Sequence, residues 1–279
     1  MQGLLKTLLC ALPKSQAAQE LRWIKQELPA DQWQKAVIDR SHLKPLQYIL
    51  GTQPFGPLTI RCKENVLIPR NDTEEWCIQL LNSLRGRRLN NILDYCTGTG
   101  CIALTLASSA SSPKWGNIVG TDINRDAILL ANENAVLNKA RLMSIPSFEV
   151  CDLRKEEIPK KTGSIAFDLL VSNPPYIPVE NMNTTAGVEK SVLHYEPWSA
   201  LVGNLEFYES LCKIIPAIHA ESFIFELGYR QQALAVRKNL PDSWFCGVKH
   251  DSSGRIRNVV GWRHPRFQYL SELIDERLS

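Results

Sequence analysis

The chain has 279 residues, of which 44% are apolar and 22% are charged. This usage is ordinary for globular domains and excludes a disordered or fibrous chain, and the length predicts about two domains. No apolar run reaches the roughly 18 residues of a membrane-spanning helix, so we expect no membrane partner. The eight cysteines form no C-x-x-C pair, which predicts free thiols in a reducing compartment and no metal site.

Positive charge is concentrated at the start of the chain. The net charge is +3 overall, but residues 1–70 hold ten Lys and Arg against five Asp and Glu, a net of +5. Residues 71–279 hold 22 against 24, a net of −2. Such an asymmetry is typical of a surface for an acidic partner, and equally of a solvated helical face.

Residues 1–46 have the pattern of a small helical domain. A leucine stripe at helical spacing opens it, and two further apolar stripes follow. The stripes are Leu4, Leu5, Leu8, Leu9 and Leu12; Trp23, Ile24 and Leu28; and Trp33, Val37 and Ile38. The first nineteen residues contain two lysines and no acid, so the opening segment is either the first helix of the fold or a mitochondrial targeting helix.

Residues 47–70 differ in texture from what precedes them. Apolar residues alternate there with Gly51, Pro54, Gly56 and Pro57, which predicts a hairpin-like connector rather than a helix. The sequence Asn-Asp-Thr at 71–73 then offers N-caps for a helix over about 74–84, with acids in its first turn.

From residue 91 to the end, strand and helix patterns alternate. This predicts an α/β domain over 71–279 with a mostly parallel sheet covered by helices on both faces, and a final hairpin across the sequence DSSG. The seven strand-like runs are Ile92–Tyr95, Ile118–Thr121, Phe148–Cys151, Phe167–Val171, Phe223–Glu226, Trp244–Val248 and Ile256–Trp262. The helical patterns between them cover about 101–110, 124–138, 205–219 and 230–239.

The first strand leads into a glycine-bearing loop. The loop reads Asp94-Tyr95-Cys96-Thr97-Gly98-Thr99-Gly100 and is followed at once by a helix. Ligands of open α/β sheets bind outside the carboxyl ends of the strands, where glycines allow close backbone approach and helix N-termini supply free N–H groups. The full G-x-G-x-x-G fingerprint and the GK[ST] of a P-loop are both missing.

Acids end the next two strands. Asp122 ends the second strand and Asp152 the third, and a carboxylate at such a place can bind both hydroxyls of a ribose, or simply cap a helix. Three features at three successive strand ends favour a ligand, and the lack of a pyrophosphate motif favours an adenosine compound such as S-adenosylmethionine.

The fourth strand ends in Asn173-Pro174-Pro175-Tyr176. Two prolines fix the backbone and remove two N–H donors, so the turn cannot continue a sheet ladder. The Asn173 side chain and the Pro174 carbonyl are acceptors for a planar NH2 group, and Tyr176 offers an aromatic face. Such acceptors favour the positive charge that develops on a weakly nucleophilic nitrogen during methyl transfer.

These motifs resemble the class I S-adenosylmethionine-dependent methyltransferases, and within them the HemK/PrmC-type protein-(glutamine-N5) methyltransferases. NPPY is shared with adenine-N6 DNA methyltransferases, whereas the connector and YEPWSAL are particular to the glutamine enzymes. The matching segments are QYILG, LIPRNDTE, LDYCTGTGCIAL, NPPYIP, YEP-x-x-AL and D-x-x-G-x-x-R-x-V-x-G.

The resemblance implies a seven-stranded Rossmann-like sheet with one antiparallel strand near the edge, and a role for each motif. The loop wraps the methionine end of S-adenosylmethionine, Asp122 holds the ribose, and Asp152 with Leu153 flanks the adenine. The implied cofactor residues are Asp94, Cys96, Thr97, Gly98, Thr99, Gly100, Asp122, Asp152, Leu153 and Asn173. The implied glutamine pocket is Asn173, Pro174, Pro175 and Tyr176, with Asn173, Pro174 and Tyr176 catalytic.

The sequence departs from the family at two places. Cys96 stands where the family usually has glycine or another small residue, and Val202–Glu206 replaces a glycine-rich turn. The roles of Arg70, Asp72 and Glu74 stay open between lining the substrate entrance and pairing with one another. We expect Glu196 and His194 to have structural or surface roles.

Taken together, the sequence predicts a monomeric enzyme that methylates the glutamine of a Gly-Gly-Gln motif in a peptide chain release factor. The helical domain would dock that protein. The mitochondrion is the expected compartment and the cytoplasm the alternative. Rival interpretations are an adenine-N6 nucleic-acid methyltransferase, disfavoured by the net charge of −2, and a non-catalytic adaptor that retains the fold.

Overall fold

A computed structural model describes residues 2–108, 116–160 and 166–279. The N-terminal helices are α1 (Gln2–Leu9), α2 (Lys14–Glu27), α3 (Trp33–Ser41) and α4 (Leu46–Leu50). They surround a separate small core that includes Leu8, Ile24 and Val37. The leucine stripe therefore contributes to the first helix of the fold, while Trp23 and Ile38 remain about two-fifths exposed. Helix α4 spans the predicted division at residue 46.

The connector is a hairpin, as the turn residues predict. Strands β1 (Thr52–Phe55) and β2 (Leu58–Arg61) pair antiparallel. Helix α7 (Arg125–Leu137) and the residue after it hold β2: Asn138 bonds both backbone groups of Thr59, at 3.2 and 2.9 Å, and Asn134 bonds those of Arg61, at 2.7 and 3.3 Å. The hairpin is thus attached to the α/β domain through side-chain amides.

Helix α5 (Asn71–Ser83) begins earlier than predicted. The assignment of N-caps to residues 71–73 was wrong, because the extended Arg70 (φ −100°, ψ 147°) occupies the cap position and no side chain caps the helix. Asp72 and Glu74 do lie in the first turn. The Thr73 hydroxyl is bonded to a residue 153 positions later instead.

The remaining described strands form one eight-stranded sheet. They are β3 (Asn91–Tyr95), β4 (Asn117–Asp122), β5 (Ser147–Val150), β6 (Leu169–Ser172), β7 (Ser222–Glu226), β8 (Phe245–His250), β9 (Ile256–Trp262) and β10 (Glu276–Arg277). Their order in the sheet is β10-β8-β9-β7-β6-β3-β4-β5. All pairs from β7 to β5 are parallel, and β9 runs antiparallel to both of its neighbours. Strands β3 to β9 correspond to the predicted runs, and the two-residue β10 is an addition that the sequence pattern did not indicate.

Helices cover both faces of this sheet. One apolar core includes residues of α5 and α6 (Cys101–Ala107), and the other includes residues of α9 (Leu205–Ala217) and α10 (Arg230–Asn239). A short helix, α8 (Lys190–Tyr195), follows the NPPY turn. Among the described residues, no helix is long and apolar enough to cross a membrane. The carboxyl ends of β3, β4, β5 and β6 meet at one edge, where the candidate site lies.

Candidate active site

A cavity of about 490 Å³ opens at the carboxyl ends of β3, β4, β5 and β6. This lies in the roughly 300–1,000 Å³ range of small-molecule sites. The predicted cofactor residues that line it are Cys96, Thr97, Gly98, Thr99, Asp122, Asp152, Leu153 and Asn173. Pro175 lines it too, together with Trp198, Val202, Glu206 and Phe207 from the region after α8.

The glycine loop, residues 95–100, takes a shape that glycine favours. Gly98 and Gly100 have φ of +54° and +80°, in the left-handed region. A side chain on Gly100 would also meet Ala131 Cβ at 3.0 Å and Phe148 Cζ at 3.1 Å. Cys96 has φ +61°, so the position where the family prefers a small residue is one where a side chain is strained. Burial and the Asp122 carboxylate raise the pKa of its thiol well above the usual value.

Asp94 is buried beneath the loop and is not among the residues lining the cavity. One oxygen, Oδ2, accepts from Thr97 Oγ1 at 2.6 Å and from the Ala103 N–H at 3.2 Å. Burial raises its pKa to about 7, against the lowering effect of these two bonds. Asp94 thus ties the loop to the first turn of α6 and supports the cavity from behind.

Asp122 and Asp152 both reach the cavity, and both also bond backbone. Asp122 accepts from the Gly98 N–H and from the Asn124 N–H, each at 2.9 Å. Asp152 accepts from the Arg154 N–H at 3.0 Å and caps a short helical turn. The ligand and capping interpretations are therefore compatible for Asp152, whereas Asn124, not Asp122, caps α7. Burial raises the pKa of Asp122, and bonds from backbone N–H groups oppose this rise.

The NPPY turn, residues 173–176, follows β6. Asn173 lines the large cavity and also a smaller one, whose wall includes Leu67, Arg70 and Tyr176. Pro174 and Pro175 are buried, and of these two only Pro175 is among the lining residues. The Tyr176 hydroxyl donates to Glu226 Oε1 at 3.3 Å. A single amide side chain therefore faces both spaces.

Two residues around Asn173 were missed by the sequence reasoning. Asn173 Nδ2 donates to Thr73 Oγ1 at 3.2 Å, and that hydroxyl donates to Glu226 Oε2 at 2.7 Å. Glu226 is fully buried, which raises its pKa, while bonds from Trp76 and Thr73 lower it. Its place at the end of a strand, like those of Asp122 and Asp152, is the signal that could have found it.

Arg70, Asp72 and Glu74, near the junction of the connector and the α/β domain, do not pair with one another. Arg70 bonds Glu196 at 2.7 Å, and the same buried carboxylate accepts from the Ile68 N–H at 3.3 Å. Asp72 lies 2.8 Å from Arg257 Nη2. Glu74 accepts from the Gly56 N–H at 2.7 Å. Arg70 lines both cavities, so it both joins the connector to the YEP segment and borders the site.

The segment that departs from the family runs beside the NPPY turn. The Ile177 N–H donates to Leu201 O at 2.9 Å, and the Gly203 N–H donates to Ile177 O at 3.0 Å. A side chain on Gly203 would approach Pro175 O to 2.3 Å. His194 is exposed, and among the described residues no group of three or more His, Cys, Asp or Glu is placed to hold a metal ion.

The strand order and the cavity at its carboxyl edge define a class I methyltransferase fold. The methyltransferase small domain family matches residues 77–194. The solved hMettl16 catalytic domain in complex with the MAT2A 3′UTR hairpin 1 superposes with a TM-score of 0.54 at 16% identity, over 87% of this chain and 82% of that one. At this identity the likeness concerns the fold.

Two relatives resemble the chain in sequence over most of their length. The mitochondrial MRF1 N(5)-glutamine methyltransferase MTQ1 of Saccharomyces cerevisiae is 36% identical, over 89% of this chain and 80% of that protein. The release factor glutamine methyltransferase of Pasteurella multocida is 33% identical, over 85% and 82%. The chain belongs to the family of release factor N5-glutamine methyltransferases, as its motifs predict.

Proposed function

We propose that this enzyme transfers a methyl group from S-adenosylmethionine to the side-chain amide nitrogen of the glutamine in the Gly-Gly-Gln motif of a peptide chain release factor. The observation that carries the proposal is the position of Asn173, which borders both the large cavity of the glycine loop and the small cavity of Tyr176. One side chain can thus contact cofactor and acceptor.

The residues present fit S-adenosylmethionine. The cavity is large enough for a nucleoside and its amino-acid tail, and Asp122 and Asp152 place two carboxylates on its wall. Thr99 adds a buried hydroxyl oxygen with no hydrogen-bond partner within the part of the chain that the structure describes. The carboxylates suit ribose hydroxyls and a cationic sulfonium. When bound, this cofactor supplies an electrophilic methyl group.

The protein's own contribution lies in holding the acceptor amide. An amide nitrogen is a weak nucleophile because its lone pair is delocalised. Asn173 Oδ1 and the Pro174 carbonyl would accept its two N–H groups and favour the positive charge that builds on nitrogen during transfer. Fixed acceptors also hold the nitrogen in place, which lowers the entropic part of the barrier.

The test uses labelled S-adenosylmethionine, a mitochondrial release factor and a version whose motif glutamine is replaced by alanine. Label should enter the unmodified factor and be absent from the alanine version. Label on both, or on a DNA or RNA substrate in place of the protein, would contradict the proposal and support the adenine-N6 alternative. No transfer to any substrate, despite cofactor binding, would support the adaptor alternative.

We assign the docking role to residues 1–46 and place the enzyme, as a monomer, in the mitochondrion. The named similarity to a mitochondrial methyltransferase supports the compartment, and the excess positive charge supports docking. Replacing the exposed Lys6 and Lys14 together by glutamate should raise KM for the release factor about three- to tenfold and leave kcat within about twofold. An unchanged KM would contradict docking there.

The other two assignments have tests of their own. Imaging of the tagged full chain tests the mitochondrial compartment, and sedimentation tests the monomeric state.

A further inference from the structure

The buried Thr73 hydroxyl determines whether the NH2 group or the oxygen of the Asn173 amide faces it. Thr73 Oγ1 lies 2.7 Å from Glu226 Oε2 and 3.2 Å from Asn173 Nδ2, and the residue is 2% exposed. A hydroxyl has one hydrogen and two acceptor lone pairs. If that hydrogen goes to Glu226, Thr73 can only accept from Asn173.

Trp76 fixes the direction of the first of these bonds. Its indole Nε1 donates to the same Glu226 oxygen, Oε2, at 2.7 Å. An indole N–H cannot accept, and an ionised carboxylate has no hydrogen to donate, so the Oε2 of the Glu226 carboxylate accepts from both Trp76 and Thr73. The second oxygen, Oε1, accepts from the Tyr176 hydroxyl, which in turn lies 3.4 Å from Arg257 Nη1, another group that only donates. Every hydrogen bond of this relay therefore runs toward Glu226.

We infer that Thr73, held by Glu226 and Trp76, is a positioning residue that orients the Asn173 amide with its NH2 group toward Thr73 and its Oδ1 toward the acceptor space. The inference rests on the proposed function and deepens it. In the flipped orientation Oδ1 would face the lone pairs of a buried oxygen, and the NH2 group would repel the substrate's own N–H donors. The relay makes Asn173 an acceptor before the substrate arrives.

The test removes the hydroxyl at constant shape. Thr73→Val should lower kcat about 10- to 100-fold with KM for both substrates within about threefold, because binding surfaces remain but the acceptor is no longer fixed. Thr73→Ser, which keeps the hydroxyl, should stay within about threefold of wild type. If Thr73→Val does not fold, as judged by its melting temperature, the smaller Thr73→Ala replaces it with the same expectation.

Thr105 offers a matched control. It is buried in α6, and its hydroxyl has no hydrogen-bond partner among the residues that the structure describes. Thr105→Val makes the same steric change and should leave kcat within about twofold. Full kcat in Thr73→Val, equal losses in Thr73→Ser and Thr73→Val, or a kcat loss in Thr105→Val of the same size would overturn the inference.

A readout without turnover separates this inference from the proposed function. In an amide NMR spectrum the Asn173 side-chain NH2 pair is assigned by its loss in Asn173→Asp. Its hydrogen exchange should be slow in wild type and Thr73→Ser, and at least about tenfold faster in Thr73→Val. Equal exchange in Thr73→Val would sink the orientation argument even if methylation is confirmed. Slow exchange that depends on Thr73, without any methylation of glutamine, would retain the relay and refute only the proposed function.

Discussion

The two halves of the candidate site, the glycine loop and the NPPY turn, are held in place by different kinds of chemical group. The glycine loop is fixed mainly through its backbone N–H groups: that of Thr97 donates to Thr121 O at 2.8 Å and that of Gly98 to the Asp122 carboxylate at 2.9 Å. The Thr97 hydroxyl adds one side-chain bond, to Asp94. The NPPY turn contains two prolines without N–H groups, so its functional atoms are fixed by side chains instead. Anchoring through backbone groups depends little on the side chains of the loop, whereas anchoring through side chains depends on each partner.

The sharpest test of this difference is a reciprocal pair of substitutions. Asn173→Ala should lower kcat about 100- to 1,000-fold while leaving cofactor affinity within about tenfold, since it removes an acceptor used in transfer. Asp122→Ala should weaken cofactor binding about thirtyfold, because it removes a carboxylate and leaves two backbone donors unpaired. Calorimetric titration with S-adenosylmethionine and steady-state kinetics measure both. Equal loss of affinity and activity in Asn173→Ala would show that its main role is cofactor binding.

The raised pKa of Asp94, beneath the glycine loop, should make the free energy of unfolding depend on pH. The pKa of Asp94 is about 7 in the folded protein and near 3.8 in the unfolded chain, so the folded state binds the proton more tightly between these values. The stability that this group contributes is therefore lost as the pH rises toward 7. From pH 5 to pH 8, the free energy of unfolding of wild type should fall by about 2 to 3 kcal/mol relative to Asp94→Asn. Urea unfolding without cofactor measures this gap, and a constant gap would contradict the raised pKa.

The smallest expected effect compares the two glycines of the loop. Gly98→Ala meets no atom within 4 Å and should cost about 1 kcal/mol for its positive φ alone. Gly100→Ala adds contacts near 3 Å with Ala131 and Phe148, and should cost about 1 kcal/mol more. Denaturant unfolding of both variants measures the difference. Equal costs would mean that α7 and β5 yield to the new methyl group.

The fold and the backbone-held half of the site could be predicted because their signals are local. Runs of apolar residues with turn residues between them marked all seven main strands, and Gly98, Gly100 and Asp122 lie at the ends of such runs. The two-residue β10 lacked a run long enough to detect. The start of α5 was predicted too late because Asn71, Asp72 and Thr73, whose residue types often cap helices, lie within the first turn instead. None of their side chains caps the helix, and the Thr73 hydroxyl donates to Glu226.

The NPPY turn itself was predicted from the sequence, but the side chains that hold it, Thr73, Trp76 and Glu226, were not. Thr73 and Asn173 are 100 residues apart, and Thr73 and Glu226 are 153 apart. Thr73 lies in the LIPRNDTE segment and Trp76 two residues after it, but nothing in that segment indicates that Thr73 meets Asn173 and Glu226. Their role arises only when α5 packs beside the ends of β6 and β7. For the same reason the pairing of Arg70 with Glu196, 126 residues away, remained open at the sequence level.

The hairpin of the connector has a consequence for how another protein can bind. Thr59 and Arg61 stand two residues apart on β2, about 6.6 Å along a strand. Asn134 in α7 and Asn138, the residue that follows the helix, stand about one helical turn apart, roughly 6 Å. Because these rises match, two helix side chains occupy the place of a third strand. That edge is closed to strand addition, whether by a second copy or by an extended segment of a substrate protein. A partner that docks on this side must be recognised through side chains.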